Sequence, residues 1–337
     1  MPAQGRRRHP TWSAFGELGR IPSEYEVVTH GLNYTLRTGR TAALEANPSS
    51  AANLWFLAYR DRSPLQVPDW DGFRDPDRLT YRAYVTVQDE QETVVRGLLD
   101  EYSEVGHDRG LPPGWLAVLG LLFTPARRPA HAVQLCHSYL GQMAPSSYIS
   151  NCAAFAAADM LRRLSVLAYR TRELQRAHPA AGFGTADRAR WEMDPVWQPA
   201  RRALEEALVA YDWGESFVAV NLVLRPTLDD ILLRQLGETA RANGDDLTWL
   251  LLANIDLDAA RCRRWTTALG RYAVAERPGN ADLIRGWVDR WTPRADAAAE
   301  GLAEGLGALP EAAPSASDVV AAARQARHQV LVEARTA

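Results

Sequence analysis

Lysine is absent from this 337-residue chain, so all 38 basic residues are arginine. A GC-rich coding sequence explains that bias, although arginine also suits the planar, bidentate contacts of protein interfaces. Cysteine is scarce. Cys136, Cys152 and Cys262 stand far apart and form no Cys-x-x-Cys pair, which excludes a zinc or disulfide framework and fits a reducing cytoplasm. Long apolar runs are missing. The longest, Gly114 to Phe123, is half the roughly 20 residues a membrane span needs. Arg6-Arg7-Arg8 is followed by no apolar stretch, so no signal peptide is expected. A net charge of −3 with both signs interspersed offers no basic stripe for nucleic acid. No Gly-rich phosphate loop, Rossmann fingerprint or Ser-His-Asp order is present. Strand alternation with hairpin turns is nearly absent as well.

What remains is helix. Residues 147–177 and 246–276 each run some thirty residues without proline. Asp75-Pro76 predicts a helix start, with Val87, Val94, Val95, Leu98, Leu99 and Tyr102 at helical spacing, stopped by Gly106 and Gly110. Further helices are expected at about 112–126, 129–143, 195–213, 281–306 and 317–334. Pro226 lies inside an otherwise helical 215–242 and predicts a kink. Asn243-Gly244-Asp245 reads as a turn with a ready N-cap. The organisation is an extended arm over 1–50, one all-α domain over 51–310 and a tail helix over 311–337. The aromatic-rich stretch around Trp55, Trp70 and Phe73 reads equally well as a cover for the core or as a partner contact.

Two pentapeptides carry the chemistry. Asp159-Met160-Leu161-Arg162-Arg163 and Asp258-Ala259-Ala260-Arg261-Cys262 lie deep in the two long segments. Each has the outline of Asp-Glu-x-Arg-His, a helical motif whose Glu and His share one face and hold half of a carboxylate-bridged di-iron centre. Here Met160 and Ala259 replace Glu, and Arg163 and Cys262 replace His. Arg225 stands where the second half-site needs a further carboxylate, and a guanidinium there repels a metal. Asp159 and Asp258 are expected to pair with arginines inside the bundle. The one literal Glu-x-x-His, Glu104 to His107, is interrupted by Gly106 and is read as a surface pair. His131 and His137 share a face poorly, and His137 reads as a core or interface histidine. Glu173 and His178 read as a solvated helix end, and Cys262 as a small buried side chain.

Together with Phe73-Arg74-Asp75-Pro76-Asp77-Arg78-Leu79-Thr80-Tyr81-Arg82-Ala83-Tyr84, Gln88-Asp89-Glu90-Gln91-Glu92-Thr93 and the stretch Asp258 to Thr267, these residues resemble one family. It is the hydroxylase beta subunits of bacterial multicomponent monooxygenases, nearest the toluene/aromatic and alkene/isoprene branch, over roughly residues 50–280. The resemblance implies a ferritin-like bundle, similar to the ribonucleotide reductase small subunit, with no metal or cofactor of its own. It implies an (alpha-beta-gamma)2 assembly with di-iron in the alpha subunit, an NADH-fed Rieske ferredoxin and a docking effector protein. The product would be a hydroxylated arene or an epoxide. No catalytic residue carries over to Met160, Arg163, Arg225, Ala259 or Cys262. Trp55, Trp70, Phe73, Arg74, Tyr81 and Tyr84 are the candidates for partner contact. Two other readings stay open. One is a stand-alone metal oxidase using Glu104 and His107, and the other is a helical protein that binds a small molecule in its core.

Overall fold

The structure, a computed structural model, describes residues 20–30, 50–307 and 314–336. Among the described residues there is no strand. The two proline-free segments form the two longest helices, α6 (Ser147–Ala177) and α12 (Asp246–Glu276). Ser146 caps α6 by accepting from the Tyr148 amide, and Asp245 caps α12 by accepting from the Thr248 amide. Gly244, at φ +77°, makes the tight turn ahead of that second cap, as the Asn-Gly-Asp pattern predicts.

The helix expected from Asp75-Pro76 begins later. α3 spans Tyr81–Glu104 and is capped by Thr80, whose hydroxyl accepts from the Ala83 amide. Asp75 is spent on a preceding turn, accepting from the amides of Asp77 and Leu79. A local cap therefore competes with the helix start, and the helix yields by five residues. Between them, α4 (Pro113–Val118), α5 (Arg127–Met143), α7 (Asp187–Met193) and α8 (Gln198–Leu208) fill the next part of the chain. The helix expected over 195–213 is shorter at both ends: α8 starts three residues after Pro195 and stops at Leu208, and α7 lies ahead of Asp194-Pro195.

Residues 213–242 remain helical throughout, with Pro226 accommodated in an unusual way. Three short α turns, α9 (Trp213–Phe217), α10 (Arg225–Asp229) and α11 (Leu236–Ala242), alternate with wider i→i+5 turns at Val218–Leu224 and Asp230–Gln235, one on each side of the proline. Proline has no N–H for the regular ladder and crowds the carbonyl four residues back, and a widened turn relieves both. This rod is buried along almost its whole length. Helices α13 (Asn280–Gly307) and α14 (Ala316–Glu333) complete the bundle. A short helix, α1 (Glu24–Thr29), lies within the expected arm and buries Tyr25 against the ring of Tyr148.

One continuous core runs through all of this. α5 packs along α6, and α13 packs on α8, on α14 and on the widened rod. Trp115, Trp197 and Trp213 are fully buried in it. Trp115 donates to Asp245 and Trp197 to the Leu121 carbonyl, which satisfies two indole N–H groups away from water. No described helix is long and apolar enough to cross a membrane.

Candidate functional site

The two Asp-x-x-Arg frames face each other. Arg162 of α6 bonds Asp258 at 2.8 Å, while Arg261 of α12 bonds Asp159, so the helices run antiparallel here. Each frame's arginine thus reaches the other frame's aspartate. Gln88 of α3 spans the pair, donating to Asp159 at 3.2 Å and to Asp258 at 2.9 Å. Tyr84, one helical turn earlier, donates its hydroxyl to Asp159 at 2.9 Å and stacks on Phe155 with centroids 4.4 Å apart. Glu92, one turn later, accepts from Arg162 at 2.7 Å. The i, i+4, i+8 spacing of Tyr84, Gln88 and Glu92 sets all three on one face of α3. Burial, then the neighbouring Asp258, pushes the Asp159 carboxyl up to about 6 against the pull of Arg261.

Behind the frames lie Met160, Arg163, Arg225, Ala259 and Cys262, the five positions that the sequence pattern set against ligand positions. Met160 and Ala259 are buried apolar side chains of the core. Arg163 and Arg225, both buried, share one carboxylate. Arg163 bonds Oδ1 of Asp229 at 2.6 Å, and Arg225 bonds Oδ2 at 3.2 Å. Arg225 also points Nη1 at the Cys262 sulfur, 2.6 Å away. Burial works against a charged Asp229, yet Arg225 and Arg163 hold its carboxyl below the ordinary value. Burial likewise opposes the Arg225 charge, and Cys262 and Asp229 restore it above its usual value. Burial raises the Cys262 thiol despite the adjacent guanidinium.

His137 of α5 closes this cluster. It is wholly buried, and burial followed by Arg225 drops its pKa to about 3, so the ring is neutral. Its Nδ1 lies 3.0 Å from the Val133 carbonyl, which can only accept, so Nδ1 carries the proton. Nε2 is then an acceptor, 2.9 Å from the Asn221 side-chain amide, whose NH2 must turn toward it. The core reading of His137 holds.

These residues do not fit an iron centre. Arg162, Arg163, Arg225 and Arg261 are matched by Glu92, Asp159, Asp229 and Asp258, so the site is electrically balanced without a cation. A dication here would meet two guanidiniums and no free carboxylate. Among the described residues no group of three or more His, Cys, Asp or Glu is arranged to hold a metal ion. The rival pair also separates. Gly106, at φ +67°, ends the helix between Glu104 and His107, and His107 turns to Asp245 at 3.2 Å.

Other expected residues fall in varied places. Glu173 and His178 are not a plain solvated face. The buried guanidinium of Arg170 draws Glu173 to 3.6 Å, and His178 bonds the Asp108 carbonyl at 2.7 Å. Of the six partner-contact candidates, Trp70, Phe73 and Tyr84 are buried within this chain because their rings fill its own core. Arg74 bonds Glu26 of α1 and lies over the Tyr148 ring. Trp55 and Tyr81 stay exposed, Tyr81 at 74%. Sequence reasoning missed Asp229 and Asn221. The i, i+4 spacing of Arg225 and Asp229 was a usable signal for the first. Nothing local marked the second.

The pattern of the Methane/Phenol/Alkene Hydroxylase family matches residues 55–277. The chain is 41% identical over 296 residues to the toluene-4-monooxygenase system hydroxylase component subunit beta of Ectopseudomonas mendocina, covering 88% of this chain and 90% of that one. It is 26% identical over 236 residues to the methane monooxygenase component A beta chain of Methylosinus trichosporium, covering 69% and 60%. A solved structure of toluene 4-monooxygenase with toluene bound in the resting active site superposes with a TM-score of 0.82 at 39% identity, covering 90% of this chain and 99% of that one. Xenon-pressurised phenol hydroxylase from Pseudomonas sp. OX1 superposes at 0.80 with 19% identity, over 99% and 96%, which speaks to the fold.

Proposed function

The chain belongs to the methane/phenol/alkene hydroxylase family, and on that premise we propose that it serves as the beta subunit whose retained bundle supports oxygen chemistry carried out next door. Its relatives are hydroxylase beta or small subunits of multicomponent monooxygenases, and the fold is their ferritin-like bundle. The reaction of the assembled enzyme is insertion of an oxygen atom from O2 into an aromatic hydrocarbon or alkene. The iron belongs to an alpha subunit, and the assembly is an (alpha-beta-gamma)2 hydroxylase. Electrons come from NADH through a Rieske ferredoxin, and an effector protein docks on the complex.

One observation carries the reading. Arg163 and Arg225 meet over Asp229 where a metal centre would need carboxylates and imidazole. Four guanidinium–carboxylate pairings now tie α6, α12, α3 and the Arg225 rod together at that place. The chain's contribution is therefore positional: it holds its own long helices rigidly without a metal cross-link and presents their outer faces to a partner. Buried pairs of this kind fix register more dependably than they add net stability.

The decisive experiment is co-expression with an iron-binding large hydroxylase subunit of the same family. A stable complex with all of its iron in the large subunit, and none in this chain after separation, is the expected result. Stoichiometric iron in the isolated chain, lost on His107→Ala, would overturn the proposal in favour of a stand-alone oxidase.

A further inference from the structure

Helix α3 is held differently from the other long helices. Of its 24 side chains only Tyr84, Val95 and Leu99 are buried. α6 buries 17 of 31 and α12 buries 16 of 31. The ten residues from Val85 to Val94 bury no side chain at all. In α6 and α12 no such gap exceeds two residues before the last turn. A helical segment without a buried apolar side chain lacks the contribution that holds most helices in place.

What seats the middle of α3 is polar. Gln88 donates to both frame aspartates, and Glu92 accepts from Arg162. The Glu92 side chain is 35% exposed, so water screens that pair. The amide oxygens of Gln88 and Gln91 are buried and accept no hydrogen bond. Unmade bonds of that kind disfavour the closed arrangement, and opening into water makes them. Val85 and Val94 already stand about half exposed, so opening uncovers little apolar surface there. Both ends, by contrast, are tied down. Tyr84 stacks on Phe155 and donates to Asp159, while Val95 and Leu99 join the core. The groups beneath keep partners when α3 leaves. Arg261 stays with both aspartates, and Arg162 stays with Asp258 and Asn254.

We propose that residues 85–94 of α3 form a strap, tied at Tyr84 and Val95 and caught by Gln88, which opens and closes in the folded protein. Open, it admits water to Asp159, Asp258 and their arginines. Closed, it seals them. The bundle beneath stays folded through the cycle, because Arg162 and Arg261 pin α6 to α12 whichever way the strap stands. The device belongs to this chain alone and stands whether or not the subunit reading does.

Native-state hydrogen exchange on the full-length chain, read by mass spectrometry in rising urea below the unfolding transition, is the test. Peptides from the middle of α3 are expected to exchange at least about a hundredfold faster than those of α6 and α12, with little dependence on urea. Gln88→Ala should speed them about tenfold more while leaving α6 and α12 unchanged. Alanine has the higher helix propensity, so that direction reports the lost catch and not a weaker helix. Thr93→Ala, at an exposed position of the same segment, should not speed them. Exchange of 85–94 at the rate and urea dependence of α6 and α12 overturns the proposal. So does a Gln88→Ala chain whose strap exchanges no faster, or one in which all three helices loosen together.

Discussion

Asp229 is the residue on which the buried arginine cluster turns. It bridges two buried guanidiniums from different helices, and among the described residues no other carboxylate touches either. Asp229→Asn leaves both cations buried with no paired carboxylate, and breaking a buried pair in this way costs about 3–5 kcal/mol. The exposed pair between Arg264 and Asp77 is the control, since Arg264→Met there should cost under about 1 kcal/mol. Urea midpoints of the two variants measure the difference. Two further residues give opposite pH signatures. Asp159 has its pKa raised from 3.8 to about 6, so its contribution is fully present below pH 3.8 and is lost as pH rises through 6. His137 has its pKa lowered from 6.5 to about 3, so its contribution is present above pH 6.5 and is lost as pH falls toward 3. Stability measured from pH 3.5 to 7 should therefore fall less on acidification in His137→Gln than in the parent chain. In Asp159→Asn it should fall more, because the opposing gain is gone. Parallel curves for all three would show that neither group titrates as its surroundings imply.

Helices α6, α12 and α14 could be placed from the sequence because long runs without proline, bounded by capping residues, leave little choice. The start of α3 could not. Asp75 is spent on a turn, Thr80 caps the helix instead, and Tyr84 packs against Phe155 and Asp159 from that later start. The rod over 213–242 shows the same limit, since Pro226 announces an interruption without saying whether the helix bends or widens. Two glycines test the packing of these elements with opposite signs. Gly97 lies inside α3 with open space around it, so Gly97→Ala should stabilise by roughly 0.5–1 kcal/mol through helix propensity alone. Gly301 lies in α13 with the Val196 carbonyl 2.7 Å from where a Cβ would sit. Backbone cannot step aside cheaply, so Gly301→Ala should destabilise by about 1–3 kcal/mol. Thermal melts of the pair decide whether α13 is held as tightly as the geometry says.

At the scale of the molecule, one core links the helices on both sides of the buried arginine cluster, and α14 is part of it rather than a tail appended to it. Val319, Val320, Ala323, Val330 and Leu331 are buried, and Arg327 bonds Asp296 of α13 and Thr227 beside that cluster. Removing residues 316–337 would bare that apolar surface, at roughly 1.5–3 kcal/mol for each large side chain uncovered. That sum matches the entire stability of a typical domain. The truncated chain should therefore lose its cooperative unfolding transition and collect in the insoluble fraction, both read by circular dichroism and sedimentation. A soluble truncation with an unchanged melt would show α14 to be dispensable.

The sequence by itself determined the class of fold, the two long helices and the absence of Glu and His from the two Asp-x-x-Arg frames. Those facts are local: helix length follows from caps and missing prolines, and a side chain such as Met160 or Ala259 has no ligand chemistry wherever it lies. What the arginines of those frames pair with was decided only in three dimensions. Arg162 and Arg261 reach across to each other's aspartates, and Arg163 and Arg225 converge on Asp229, because antiparallel packing brings together residues up to 102 positions apart. A pairing of that kind leaves no periodic trace along the chain. The balance of four guanidiniums against four carboxylates is therefore a property of the packed bundle.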